Sequence, residues 1–127
     1  MATVLVIDDD EVSRLAMGSA LEANGHEVHY APNGEVGLEF YAKSPTDVVI
    51  VDLAMPVMNG LRTIQELREN HRDARIIAVS GESPEQLPMA EDYGALRSMA
   101  KPVNPTELQQ AIEQVLRLSM GWEGPMD

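Results

Sequence analysis

The sequence predicts an α/β domain, a parallel sheet covered by helices on both faces. Three observations predict it. The apolar runs Thr3–Ile7 and Val48–Val51 lack the polar alternation of a half-exposed strand, so they read as strands buried on both faces. Strand-like and helix-like segments alternate along the chain, as they do in βα units. Both runs end directly in acids, Asp8-Asp9-Asp10 and Asp52. Carboxylates therefore stand at the carboxyl edge of the sheet, where open α/β sheets bind their ligands.

The elements follow in order. Thr3–Ile7 is the first strand. Glu11–Asn24 reads as a helix, with Ala16, Met17, Ala20 and Leu21 on one face and Gly25 as its stop. Glu27–Tyr30 is a short second strand. Asn33 and Gly34 open a second helix, in which Val36, Phe40 and Tyr41 recur at helical spacing. Asp47–Val51 is the third strand, which Pro56 and Asn59-Gly60 cannot continue. Gly60 is expected at a positive φ. Leu61, Ile64, Leu67 and Arg68 mark a third helix. Arg75–Val79 and Arg97–Ala100 are the fourth and fifth strands. Between them Pro84 and Pro88 interrupt the chain, and a proline inside a helix forfeits a hydrogen bond. The fourth helix is expected to be short, starting near Pro88, or partly melted. The last helix is the best signalled: Asn104 is a natural N-cap, Pro105 suits the first turn and Glu107 completes a capping box. Leu108, Ala111, Ile112, Val115 and Leu116 form its buried stripe. Right-handed crossovers leave few topologies. The flavodoxin-like (βα)5 doubly wound order 2-1-3-4-5 sets strands one and three side by side at the switch point.

Composition narrows the function. A chain of 127 residues, 44% hydrophobic, is one domain of ordinary globular character. It has no cysteine, which excludes disulfides and thiolate metal sites. No signal peptide is evident and no apolar run approaches membrane-spanning length, so a cytoplasmic location without membrane attachment is expected. Nine basic residues against 21 acidic give a net charge of -12. That field repels phosphate backbones, so nucleic acid is not an expected partner.

The acids suggest a chemistry. Asp8, Asp9 and Asp52 are expected to converge in the sheet crevice. Carboxylates that close raise one another's pKa unless a cation sits among them. Hard oxygen donors favour Mg²⁺, with Mn²⁺ as the alternative. A plainer reading makes Asp8–Asp10 the N-cap region of the first helix, where acids suit the dipole. The histidines, His26, His29 and His71, lack ligand spacing and read as surface residues.

The motifs Val6-Ile7-Asp8-Asp9-Asp10, Asp52-Leu53-Ala54-Met55-Pro56 with Asn59-Gly60, Val79-Ser80-Gly81 and Lys101-Pro102 stand in an order and spacing that resembles the response regulator receiver domain, chemotaxis-regulator-like, of two-component signal transduction. The resemblance runs from about Thr3 to about Leu118. It implies a receiver domain over residues 1–118; Gly121, Gly124 and Pro125 make 119–127 read as a loose tail or linker start, in which Trp122 offers an apolar docking surface. It implies that Asp52 is the phosphoacceptor. Asp9 and Asp52 would ligate the metal directly, Asp8 through a water, and the Ala54 backbone carbonyl would add a further ligand. Lys101, joined by a cis bond to the following Pro102, and Ser80 would engage the phosphoryl group, and Gly81 would leave room for the donor. The implied partners are a histidine kinase or histidine phosphotransfer protein, and a downstream target or output domain. The domain would catalyse only its own phosphorylation and dephosphorylation.

Two departures stand out. Ser98 occupies the position where the family often carries an aromatic switch residue, and the two prolines alter the segment that usually contacts partners, which points to an atypical or mobile output face. Ala54 and Glu82 occupy positions that tune phosphoryl lifetime in the family. Two other readings compete. One is a receiver-like interaction module working without phosphorylation. The other is an aspartate-nucleophile phosphatase resembling the haloacid dehalogenases, with Asp8 as nucleophile in Asp8-x-Asp10.

Overall fold

In the computed structural model, which describes residues 1–55, 58–81 and 84–118, five parallel strands form one sheet in the order β2-β1-β3-β4-β5. The strands are β1 (Thr3–Ile7), β2 (Glu27–Ala31), β3 (Val48–Asp52), β4 (Ile76–Ser80) and β5 (Arg97–Ala100). The helices are α1 (Glu11–Ala23), α2 (Gly34–Lys43), α3 (Gly60–Asn70), α4 (Leu87–Tyr93) and α5 (Pro105–Arg117). A 3-10 turn, Pro84–Gln86, leads into α4. The predicted order stands. The third and fourth strands each begin and end one residue later than expected, which makes Asp52 and Ser80 their last residues.

The two apolar strand runs bury both faces because their side chains alternate between two cores. Leu5, Ile7, Val49, Val51, Ile76 and Ala78 pack on one side with Tyr41, Ile64, Leu67 and Ala90 from α2, α3 and α4. Val4, Val6, Val48, Ile50, Ile77 and Val79 pack on the other with Met17 and Leu21 of α1 and Leu108, Ala111, Ile112 and Val115 of α5. Each fully buried aliphatic side chain contributes about 1.5–3 kcal/mol, which is why β1 and β3 hold the centre.

Caps set the helix ends. Asn33, Asn59 and Asn104 accept from the N–H of Val36, Arg62, and both Thr106 and Glu107 respectively. Gly25 stops α1 at φ +90°, and Gly94 follows α4 at φ +130°. As expected, α4 is short, at seven residues.

Three expectations are corrected. Gly60 does not take a positive φ; it opens α3 in helical backbone. Its glycine is required by proximity, since a Cβ there would lie 2.3 Å from the Asp52 carbonyl oxygen and 2.4 Å from Leu53 Cα. On α1, Ala16 is exposed, and Gly18 is buried instead, its Cα against the Tyr30 ring. On α2, Val36 is exposed while Gly37 packs against Ile7. Small residues let helices approach the sheet closely, and apolar periodicity undercounts them.

Candidate active site

Four strand ends build the site. Beyond β1, the Asp8 N–H donates to the Ala31 carbonyl at 3.1 Å, which keeps residue 8 in line with the sheet. Asp8 is fully buried and all of its polar groups are engaged. Its Oδ1 accepts from the Asp10 N–H at 2.9 Å, its Oδ2 accepts from Lys101 Nζ at 2.9 Å, and its carbonyl accepts from Arg14 Nη1 at 2.7 Å. Asp52 ends β3 opposite Val79 and is only 3% exposed. Its Oδ1 accepts from the Ala54 N–H at 3.2 Å, and its Oδ2 lies 3.4 Å from Lys101 Nζ. Ser80, also buried, ends β4 opposite Ala100, and its carbonyl accepts from the Lys101 N–H at 2.9 Å. The Lys101–Pro102 bond is cis.

Asp9 is the exposed member of the set. One carboxylate oxygen from each of Asp8, Asp9 and Asp52 falls within 4.8 Å of the others. A cleft of about 400 Å³ opens over them, lined by Asp9, Asp10, Asp52, Ala54, Gly81 and Lys101. A Cβ on Gly81 would sit 3.2 Å from Lys101 Cβ, so any larger residue crowds the lysine stem.

The acids strain one another electrostatically. Burial, then the Asp8 charge, pushes the Asp52 carboxyl up to about 6, against the opposing pull of Lys101 and the Ala54 N–H. Burial by itself would lower Lys101, but its hydrogen bond to Asp8 and the charges of Asp52 and Asp8 outweigh it, and the ammonium is held above its usual range. Lys101 is thus a fixed cation that only partly offsets its neighbours. An all-oxygen cluster with excess negative charge and an open side fits Mg²⁺, which binds through one or two carboxylates and keeps several waters.

The three acids expected to converge, Asp8, Asp9 and Asp52, do so. The Asp10 side chain caps α1, accepting from the Val12 N–H at 3.2 Å. The helix-cap reading therefore holds for Asp10, while Asp8 and Asp9 join Asp52. The phosphatase reading leaves Asp52, which sits within the cluster, without a role.

The histidine reading is corrected for His26, which is buried and structural. Its Nδ1 accepts from the Ala2 N–H at 3.0 Å, and its Nε2 pairs with Gln109 Oε1 at 2.9 Å. Ser98, in the position of the absent aromatic, donates its hydroxyl to Glu91 Oε2 at 2.7 Å and ties β5 to α4. Arg14 carried no signal in the sequence, because a lone arginine on an amphipathic helix ordinarily faces water. The expectations for Pro56, Glu82, Trp122 and the 119–127 tail lie outside the described residues.

Known proteins resemble this chain in sequence and fold. The sequence matches the profile of the response regulator receiver domain over residues 4–113. It is 31% identical over 123 residues to the response regulator MprA of Mycobacterium sp. (strain KMS), covering 96% of this chain and 54% of that protein. It is 32% identical over 121 residues to the sensor kinase CckA of Brucella abortus (strain 2308), covering 91% of this chain and 12% of that protein. The chain thus spans about half or less of the length of these relatives. Among solved structures, the fold matches a response regulator receiver domain protein from Clostridium thermocellum with a TM-score of 0.86 and 28% identity, covering 91% of this chain and 94% of that one. It matches the response regulator TrrA of Thermotoga maritima, solved in complex with Mg²⁺ and BeF, with a TM-score of 0.83 and 30% identity, covering 91% and 99%. Sequence and fold agree, and the chain belongs to the response regulator receiver domain family.

Proposed function

We propose that this receiver domain accepts a phosphoryl group on Asp52 from a histidine kinase or histidine phosphotransfer protein and thereby changes its contacts with a downstream target or output domain. The observation that carries this reading is the placement of Asp52 at a strand end, beside two further acids and a fixed lysine, facing an open cleft. In the reaction an Asp52 carboxylate oxygen attacks phosphorus. The O–P bond forms as the P–N bond of the donor breaks, and the electron pair leaves with the donor's imidazole nitrogen. Such transfer needs alignment and charge neutralisation above all. Lys101 supplies a positive charge from one side and Ser80 a hydroxyl from the end of β4. Asp9, Asp52 and the Ala54 carbonyl would hold Mg²⁺ directly and Asp8 through water, with Mn²⁺ as the alternative. The cation, when bound, supplies electrophilic stabilisation of the phosphoryl oxygens.

A protein donor is favoured by the surface beside the site. An apolar cleft lined by Val12, Ala16, Met17, Pro102 and Val103 adjoins Lys101, and Val12 is 77% exposed. Residues 1–118 form the receiver and 119–127 a tail or linker start. The domain modifies only itself, in the cytoplasm, without nucleic acid or membrane contact of its own. No helix among the described residues is long and apolar enough to cross a membrane.

The test is intact mass after incubation with acetyl phosphate and Mg²⁺. One added phosphoryl group is expected, dependent on Mg²⁺ and lost in Asp52→Asn. If no mass is added and beryllofluoride also fails to bind, the phosphorylation-independent interaction module becomes the better account.

A further inference from the structure

We infer that Arg14 is a positioning residue for the metal site, holding Asp9 in place through the peptide that joins it to Asp8. The inference rests on the receiver reading above and adds a residue to it.

The three acids are fixed to different degrees. Asp8 is held at its N–H, its carbonyl and both carboxylate oxygens. Asp52 sits in the sheet and has the Ala54 N–H and Lys101 on its two oxygens. Asp9 is different. It is exposed, and among the described residues its side chain has no hydrogen-bond or ion-pair partner. Where its carboxylate points depends on the two peptide planes that flank it.

Those planes are pinned by other residues. On the far side the Asp10 N–H donates to Asp8 Oδ1, and Asp10 in turn caps α1. On the near side the Asp8 carbonyl accepts from Arg14 Nη1 at 2.7 Å. A planar peptide transmits this constraint, since fixing the carbonyl oxygen fixes the N–H direction of Asp9. The Arg14 side chain is only partly exposed, and α1 carries it to the Asp8 carbonyl from six residues further along the chain. A half-buried arginine donating to a backbone carbonyl behind a ligand is the arrangement by which outer residues orient a metal site.

Charge and position predict opposite signs. A positive charge near three carboxylates competes with a divalent cation, so removing it would tighten Mg²⁺ binding if Arg14 acted only through its field. If it acts by placing Asp9, removing it weakens Mg²⁺ binding, and the loss of an outer-shell partner typically costs about tenfold in affinity.

The experiment is calorimetric titration of the full chain with MgCl₂, in the wild type, Arg14→Ala, Arg14→Lys and Asp9→Asn, with thermal unfolding of each without metal. Arg14→Ala is expected to raise the Mg²⁺ Kd about tenfold, and Arg14→Lys, which keeps a donor and the charge, to recover part of the loss. An unchanged or lowered Kd in Arg14→Ala would overturn the inference, whatever its melting temperature. Should Arg14→Ala fail to fold, Arg14→Lys decides: a shifted Asp9 amide resonance with a raised Kd supports positioning, and neither change refutes it. Failure of the wild type to bind Mg²⁺ would overturn the site reading and this inference together, whereas wild-type binding lost in Asp9→Asn but indifferent to Arg14 would sink this inference alone.

Discussion

Gly60 shows how one residue joins the site to the scaffold. It opens α3, and its N–H donates to the Leu53 carbonyl at 3.0 Å, closing the loop that begins at Asp52. Two effects of Gly60→Ala oppose each other. Alanine favours the helix by at most about 1 kcal/mol. The added Cβ would meet the Asp52 backbone at 2.3 Å, and backbone cannot step aside as a side-chain tip can. Overpacking of this kind costs about 1–3 kcal/mol, and a backbone clash belongs at the upper end. Gly60→Ala is therefore expected to destabilise by about 2 kcal/mol net of propensity, with the urea midpoint lowered. A midpoint equal to or above that of the wild type would show that the loop relaxes freely.

At the scale of elements, α4 and α5 form the sharpest contrast. In α5, Asn104 Oδ1 accepts two N–H groups, Pro105 sits in the first turn and four residues are buried. Arg75 holds its far end, donating to the Val115 and Leu118 carbonyls at 2.8 and 2.9 Å. In α4, Gln86 gives no side-chain cap, a proline occupies the first turn and Ala90 is the buried residue. Anchors exist at its far end, where Arg68 donates to the Gly94 carbonyl and Ser98 to Glu91. Few buried apolar contacts mean a low local opening energy. The amides of α4 are expected to exchange at least about tenfold faster than those of α5 in native-state hydrogen exchange. Equal protection in the two helices would refute the expectation of a mobile output face.

At the scale of the whole molecule, the acid cluster sets how stability varies with pH. The Asp52 carboxyl ionises near 3.8 when unfolded and near 6 when folded. The native state binds this proton more tightly than the unfolded chain. The contribution of Asp52 to stability is therefore intact below about pH 4 and declines as pH rises through about 6. The groups facing it are Asp8, Asp9 and Lys101. Asp52→Asn removes the titration and leaves Lys101 paired with Asp8 at 2.9 Å. Without divalent cations, Asp52→Asn is expected to melt higher than the wild type at pH 7, with the difference shrinking toward pH 4. A difference independent of pH in thermal scans would contradict this. At pH 7 the variant carries one negative charge fewer than the wild type at -12, so relief of self-repulsion acts in the same direction.

The sheet, its buried central strands, the acids at its carboxyl edge, the cap of the last helix and the shortness of α4 can all be read from the order of residues. These are legible because hydrophobic period, proline and capping chemistry act within a few residues along the chain. Tertiary structure decided the rest. Which of three consecutive acids turns back to cap α1 depends on the direction in which the helix leaves the sheet. The need for glycine at position 60 comes from the returning backbone of Asp52 and Leu53, not from a local turn. The burial of His26 depends on Ala2 and Gln109, residues distant in the chain. Arg14 matters only because folding sets its guanidinium against the Asp8 carbonyl, and a backbone acceptor leaves no mark in the sequence.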